Sequence, residues 1–317
     1  MLNDASQIKK FSVNGYNHLI YEGFYPANVL KVRRIYTGEN AENSDTYEYV
    51  DQTGKLIATD LDVEAIANAK ERLAAYNGRF QLFHSNFKNF SEVMKEAGVD
   101  KIDGAILDLG VSSYQLDNRE RGFSYMGEAR LDMRMDRENP KSAWEVVNRY
   151  DKAKLAYIFS VYGEEKFADN IAKNICEERK IKPIETTKEL ADIIDKSIPY
   201  KFKQNGHPAK KVFQAVRIEV NEELDGLSDC LKDIVKSLKK GGRLVVMTFH
   251  SLEDRIVKQT FKDLETDCVC DKRLPVCVCG KKREIKQINR KPIEAGEQEK
   301  KLNPRASCAK LRIAEKV

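Results

Sequence analysis

The run KIDGAILDLGVSSYQLDNRERGFSYMGEARLDMRMD, residues 101–136, decides how the rest of the chain is read. It opens as a strand. Gly104, Ala105, Ile106 and Leu107 form a short apolar run, of the kind buried on both faces of a parallel sheet. The run stops at Asp108, and Gly110 then breaks it. A carboxylate therefore stands at the carboxyl end of a buried strand, where open α/β sheets place their ligands. From Val111 to Arg137 there is little hydrophobic periodicity. The segment carries arginines at 119, 121, 130, 134 and 137, aspartates at 117, 132 and 136, and the rings of Phe123 and Tyr125. That density of cations, acids and rings predicts a functional loop rather than a plain connection.

Strands and helices alternate ahead of this run. Lys55–Thr59 reads as a strand ending in Asp60, and a helix follows with Asp62 as its N-cap and Ile66 and Leu73 on its apolar face. Phe80–Phe83 is the next strand, His84, Ser85, Asn86 and Phe87 follow it, and a helix covers 91–97. The order βαβαβ is the first part of a doubly wound sheet. An acid at the end of such a strand can hold ribose hydroxyls, which makes Asp60 a candidate; the plain alternative is that it begins a turn. Phe87, judged by residue type alone, is a core ring.

Residues 118–206 read as a helical insertion. Ser142 with Glu145 and Thr186 with Glu189 have capping-box spacing, Asp151 caps a helix between them, and Phe167, Ile171 and Ile175 line one face of another. Arg179, Lys180, Lys201 and Lys203 could meet phosphates or simply form solvated faces. A long helical segment starts at His207 and Pro208. Phe213, Val216, Val220, Leu224, Leu227, Leu231 and Ile234 form its core stripe, and Gln214, Arg217 and Asn221 a polar one. Leu238–Phe249 reads as a helix stop, a turn at Gly241 and Gly242, and a buried strand. His250 stands at that strand's end, with Ser251 as the cap of the next helix and Asp254 three residues on.

Cys268 and Cys270, then Cys277 and Cys279, are two C-x-C pairs that can hold a tetrahedral Zn²⁺; the alternative is a mobile loop of reduced thiols. Seven cysteines without a secretory leader argue against a disulfide framework. The 317 residues suffice for one large domain or two smaller ones, and 41% hydrophobic with 33% charged residues fit a soluble globular protein. No apolar run approaches the about 18–20 residues of a membrane span. These features predict a cytoplasmic protein. A net charge of +5 is only mildly basic and by itself fits an ordinary solvated surface.

DLGVSSYQLDNRERGFSY with LDMRMD after it resembles the hallmark of the RsmH (MraW) family, S-adenosylmethionine-dependent methyltransferases acting on N4 of a cytosine in 16S ribosomal RNA. FQAVRIEVNEEL (213–224), FHSLEDRIVK (249–258) and NPRASCAKLRIAEK (303–316) resemble further family motifs in the same order. In the last, Ser307 and Cys308 stand where the family has Arg and Ser, which implies a weaker basic RNA contact. The resemblance covers residues 54–317. It implies an α/β fold: a Rossmann-like S-adenosylmethionine-dependent methyltransferase sheet, from 1–117 and 207–317, with an inserted all-helical domain at 118–206 for substrate recognition. Asp60, Phe87, Asp108 and Gln115 match cofactor-contact positions. Arg121, Phe123, Tyr125, Arg134, Arg217, Asn221 and His250 are the expected substrate side.

The implied chemistry asks for particular groups. Cytosine's exocyclic amine is a poor nucleophile, so the protein must accept its hydrogen bonds and align it with the sulfonium methyl. A carboxylate accepts without competing as a donor, which makes Asp108 the candidate catalytic group. The base must be unstacked or single-stranded to enter, and Phe123 and Tyr125 are candidates to stack on it.

Residues 1–53 carry neither the family's early His-x-Pro-Val-Leu-like segment nor its Asp-Gly-Thr-x-Gly-x-Gly-Gly-His-Ser loop. The nearest stretch, Gly38–Asn43, has one glycine and two acids. Two readings are open: a frameshifted or misassembled gene start, which resequencing its 5′ end would test, or a divergent N-terminus that has lost cofactor binding. The expected function is methyl transfer to N4 of a cytosine in the decoding region of 16S rRNA, within the small ribosomal subunit. The alternative is a non-catalytic RNA-binding relative. A hydrolase built on Ser112, Ser113 or His250 is disfavoured, because GVSSY is not G-x-S-x-G.

Overall fold

A computed structural model describes residues 54–203, 207–271 and 276–317, and within 1–53 only the backbone of four short strands. These are β1 (Ile8–Val13), antiparallel to β2 (Tyr16–Tyr21), and β3 (Leu30–Lys31), antiparallel to β4 (Tyr49–Val50). The Gly38–Asn43 stretch, and with it the question of the glycine loop, lies outside the described residues. The chain then runs β5 (Leu56–Asp60), α1 (Val63–Arg72), β6 (Phe80–His84), α2 (Phe90–Glu96), β7 (Ile102–Asp108) and α3 (Ser113–Asp117). Next come α4 (Ala143–Arg149), α5 (Lys152–Val161), α6 (Ala168–Ile181), α7 (Thr187–Ser197), α8 (Ala209–Asn221) and α9 (Leu227–Ser237). The chain ends with β8 (Leu238–Thr248), α10 (Ser251–Glu265), β9 (Ile285–Gln287), β10 (Ile293–Glu294), α11 (Glu297–Leu302) and β11 (Lys310–Lys316).

Two compact units divide these elements. The first takes residues 1–60, 64–109 and 226–317, and the second 61–63 and 110–225. The segment 118–206 falls within the second, which also takes 110–117 and 207–225.

The first unit is α/β. β5 pairs parallel with β6 across α1, and β7 pairs parallel with β8. β11 runs antiparallel to β8, giving the order β10-β11-β8-β7 with β9 also on β11. Parallel pairs need crossover connections, usually helical, and this explains the alternation read in the sequence. Leu244 and Val246 of β8 join Leu231, Ile234 and Val235 of α9 and Val257 and Phe261 of α10 in one core. Among the described residues no helix is long and apolar enough to cross a membrane.

Three expectations are corrected in this unit. β7 is not buried on both faces: Leu107 is inside, but Ile106 is 78% exposed. Successive side chains of a strand face opposite sides, so Leu107 and Ala105 turn to the core with α9 and α10 while Ile106 turns away from it. The glycine turn does not precede β8 but lies inside it. Gly241 has φ +80°, the β7–β8 register slips between Ile102 and Gly104, and a Cβ on Gly242 would meet the carbonyl oxygens of Asp103 and Lys239 at 2.8 Å. Ser251 is the first residue of α10 rather than its cap. His250 occupies the cap position, and the Glu253 carboxylate accepts from the amides of Phe249 (2.8 Å) and His250 (3.3 Å). Asp254 instead pairs with Arg312 of β11 through two bonds of 2.7 and 2.9 Å.

The second unit is helical, and its helix starts follow the expected caps. Ser142 and Glu145 close a capping box on α4, Thr186 and Glu189 on α7, and Asp151 accepts from Lys154 N on α5. Val146, Val147, Leu155, Phe159, Ile171, Ile175, Leu190 and Val216 are fully buried in its core. The segment from His207 is not one helix. α8 stops at Asn221, where Glu222 takes φ +52°, and Gly226 at φ +70° caps α9. The run LDMRMD also alternates with a period of two. Leu131, Met133 and Met135 are buried, while Asp132, Arg134 and Asp136 between them are less so.

Ser142→Ala is expected to lower stability by about 1–2 kcal/mol, because the first turn of α4 loses its side-chain acceptor. Burial pushes the Glu145 carboxyl up, but its bonds from Ser142 outweigh that and hold it below its ordinary value. The part of the cap carried by the Ser142–Glu145 bonds is therefore present at neutral pH and lost as pH falls through the lowered pKa, while the bond from Trp144 N to Ser142 Oγ does not titrate. A urea midpoint lower than wild type at pH 7, with the gap narrowing in acid, is the expected record. An equal midpoint at both pH values would mean the cap contributes nothing.

Candidate active site

In the first unit, two acids end parallel strands. Asp60 is the last residue of β5 and lies opposite His84 on β6, and its carbonyl accepts from Ser85 N at 3.1 Å. Asp108 is the last residue of β7, opposite Met247 on β8, and the next amide, Leu109 N, continues the ladder to Met247 O at 3.0 Å. β7 and β8 run parallel, so His250, two residues past β8, leaves the sheet at the same end as Asp108. Asp60 and Asp108 are exposed. Exposure at strand ends is what a ligand-facing carboxylate needs, since the ladder fixes the backbone and leaves the side chain outside the core.

Phe87 opens a short 3₁₀ turn whose cap, Asn86, accepts from Lys88 N at 3.0 Å. Its ring is half-buried and packs against the first unit's core. His250 Nε2 lies 3.1 Å from Glu253 Oε1, both side chains nearly enclosed. A shallow groove along β6 and α2, lined by His84, Ser85, Asn89 and Glu92 among others, touches none of Asp60, Phe87 and Asp108.

In the second unit, the expected residues make contacts with one another's surroundings. Gln115 is buried. Its side chain closes a capping box with Ser112 on α3 and donates to Asp62 Oδ2 at 2.8 Å. Arg121, 1% exposed, meets the same Asp62 oxygen at 2.8 Å and donates to the carbonyls of Arg134 and Met135, each at 3.0 Å. Phe123 is inside the core, and Tyr125 stacks on His207 at 4.5 Å with Phe213 edge-on at 5.7 Å. Arg134 forks onto Asp132 at 2.7 and 2.9 Å. Burial works to raise the Asp132 carboxyl, but the bonds and charge of Arg134 prevail and hold it below its ordinary value.

Arg217 forks onto Glu223 with two bonds of 2.8 Å. Asn221 Oδ1 accepts from Met135 N at 2.7 Å and its amide donates to Met133 O at 2.8 Å. Met133 itself has φ +57°, a conformation that L residues rarely hold without such support. At Gly122, φ +69°, a Cβ would sit 2.4 Å from Arg130 O, so only glycine fits.

The structure thus joins Gln115 and Arg121 through Asp62, and Arg134 and Asn221 through the 133–135 backbone. Asp62 and Glu223 were missed as partners. The signal for Glu223 was Arg217 in the otherwise apolar run 213–220, since an arginine seldom stays buried unless paired; Arg121 in its polar run gave no such signal for Asp62.

Parallel strand pairs that end in carboxylates and alternate with helices, in a chain that also carries a helical unit, are the architecture of a Rossmann-like methylase. The sequence profile of the MraW methylase family matches residues 41–317, and the chain belongs to that family. Ribosomal RNA small subunit methyltransferase H of Clostridium botulinum (strain Loch Maree / Type A3) is 52% identical over 280 residues, 88% of this chain and 90% of that protein. The protein of the same name from Clostridioides difficile (strain 630) is 50% identical over 281 residues, again 88% and 90%.

Proposed function

We propose that the protein transfers a methyl group from S-adenosylmethionine to N4 of a cytosine in the decoding region of 16S rRNA, acting in the cytoplasm on the small ribosomal subunit. The observation that carries this reading is the 52% identity over 88% of the chain to a ribosomal RNA small subunit methyltransferase. The donor set of the first unit fits the cofactor. Asp60 offers a carboxylate to hydroxyl donors, Asp108 offers one to an amine, and Phe87 offers part of an aromatic face beside them in sequence order. When bound, S-adenosylmethionine supplies the electrophilic methyl. The protein's own task is to hold the base and accept from its amine. Asp108 takes that role, and Gln115 is assigned to the cofactor by its match to a family cofactor-contact position.

On the substrate side, Arg121 and Asn221 shape the loop rather than reach for phosphates: they hold the 121–136 backbone from within, while Arg134 is forked onto Asp132 and donates to Asn139 O, and Arg217 is forked onto Glu223. Phe123, Tyr125 and His250 complete the proposed substrate set, the first two by anchoring that loop and His250 from the end of β8.

Calorimetry with the purified chain is the test. Micromolar S-adenosylmethionine binding, with methyl transfer to small subunits and loss of N4-methylcytidine from 16S rRNA in cells lacking the gene, is expected. A folded chain that binds RNA but neither binds the cofactor nor transfers methyl would establish the non-catalytic alternative. The missing glycine loop in residues 1–53 is the observation that keeps that alternative in play.

A further inference from the structure

We infer that Cys268, Cys270, Cys277 and Cys279 form a structural zinc site that closes the loop between α10 and β9. The four sulfur atoms lie within 4.8 Å of one another. Cys277 Sγ is 3.5 Å from those of Cys268 and Cys279 and 3.9 Å from that of Cys270, and Cys268 and Cys279 are 3.9 Å apart. A tetrahedral ion with bonds of about 2.3 Å sets its thiolates about 3.8 Å apart, so these separations suit a shared cation. All four are free thiols.

Backbone amides already point at the sulfurs. Cys270 N donates to Cys268 Sγ at 3.4 Å, Val278 N to Cys270 Sγ at 3.3 Å, and Val269 N to Cys279 Sγ at 3.5 Å. Such donors orient thiolate ligands and share their charge. Four thiolates around one divalent ion leave two negative charges, and Lys281, Lys282 and Arg283 follow directly in the chain.

The loop needs a clasp for a physical reason. Its base is shut: Glu284 N donates to Leu264 O at 2.9 Å, and Gln287 donates to the Glu265 carboxylate through its amide and its side chain, both at 2.9 Å. Among its described residues, the tip buries no apolar side chain. Val269, Val276 and Val278 are 64%, 70% and 77% exposed. Exposed valines contribute little against the entropy of ordering such an excursion, whereas a metal bond set can offset it. With four sulfur ligands and no open position, the site is structural rather than catalytic, and soft ligands in this geometry select zinc or an iron–sulfur centre.

Metal analysis and thiol labelling of the full chain, purified without added metal or chelator, test this. About one zinc per chain is expected. The four thiols should resist alkylation while the exposed Cys308 reacts, and chelation should release the metal, unmask all four and open residues 266–283 to protease. Cobalt added to the stripped chain should give the visible absorption of a tetrahedral thiolate complex. The Cys268→Ser/Cys277→Ser chain should retain no zinc. Should that chain fail to fold, labelling of the wild-type protein still decides. Zinc absent with all four thiols alkylated as fast as Cys308, disulfides among them, or iron in place of zinc would each overturn the inference.

Discussion

Methyl transfer by the Asp108→Asn protein is expected to fall by about 10²–10⁴-fold, the range for loss of a group that handles a proton or its hydrogen bond at the reacting centre. The fold should survive the change. The backbone of Asp108 stays in the β7–β8 ladder whatever its side chain, and that side chain is exposed. Exposed substitutions of equal volume usually move stability within about 0.5 kcal/mol. Asparagine keeps the shape but sets an NH₂ where the amine needs an acceptor, so donor faces donor. Single-turnover methyl transfer to small subunits, with cofactor affinity measured on the same protein, separates the cases. A drop in the chemical step with affinity unchanged supports Asp108 as the amine's acceptor. A drop in affinity alone makes it a cofactor anchor, and activity within twofold of wild type removes it from the site.

The sequence carried what is local. Caps at Ser142, Asp151 and Thr186 are set by a side chain and amides two or three residues on, and each forms as the spacing predicts. Alternating strands and helices around Asp60 and Asp108 follow from hydrophobic period, and they too are present. What the sequence hid depends on distant partners. The stripe from Phe213 to Ile234 continues through Leu224 and Leu227, so only Gly226 hinted at the break between α8 and α9. Arg121 and Arg134 look like phosphate ligands because they are cations in a loop, and Arg217 because it lies on the polar stripe of a helix. Asp62, 59 residues before Arg121, is an N-cap by position, and nothing in local spacing says that it meets the guanidinium. The alternation of Leu131, Met133 and Met135 with Asp132 and Arg134 is local and was readable in the sequence.

Replacing Arg121 by methionine is expected to lower stability by about 3–5 kcal/mol, the usual consequence of removing one partner from a buried ion pair. The pair is enclosed on both sides, with side-chain exposures of 1% for Arg121 and 5% for Asp62. Methionine fills much of the space but leaves Asp62 charged and buried, with Gln115 as a remaining donor, and it strands the carbonyls of Arg134 and Met135. Arg121→Lys keeps the charge without the planar fork that spans one carboxylate and two carbonyls, so it should recover only part of the loss. Asp62→Asn combined with Arg121→Met removes the uncompensated charge and should be less unstable than Arg121→Met alone. Urea unfolding of the three variants, beside RNA binding at several salt concentrations, decides what this arginine does. A phosphate-contact arginine would leave the urea midpoint near wild type and reduce the salt slope by about one. A lowered midpoint, partly restored in the double variant, would instead fix Arg121 as the strut that holds the 121–136 loop in shape. RNA affinity would then follow the loop's folding rather than a lost charge.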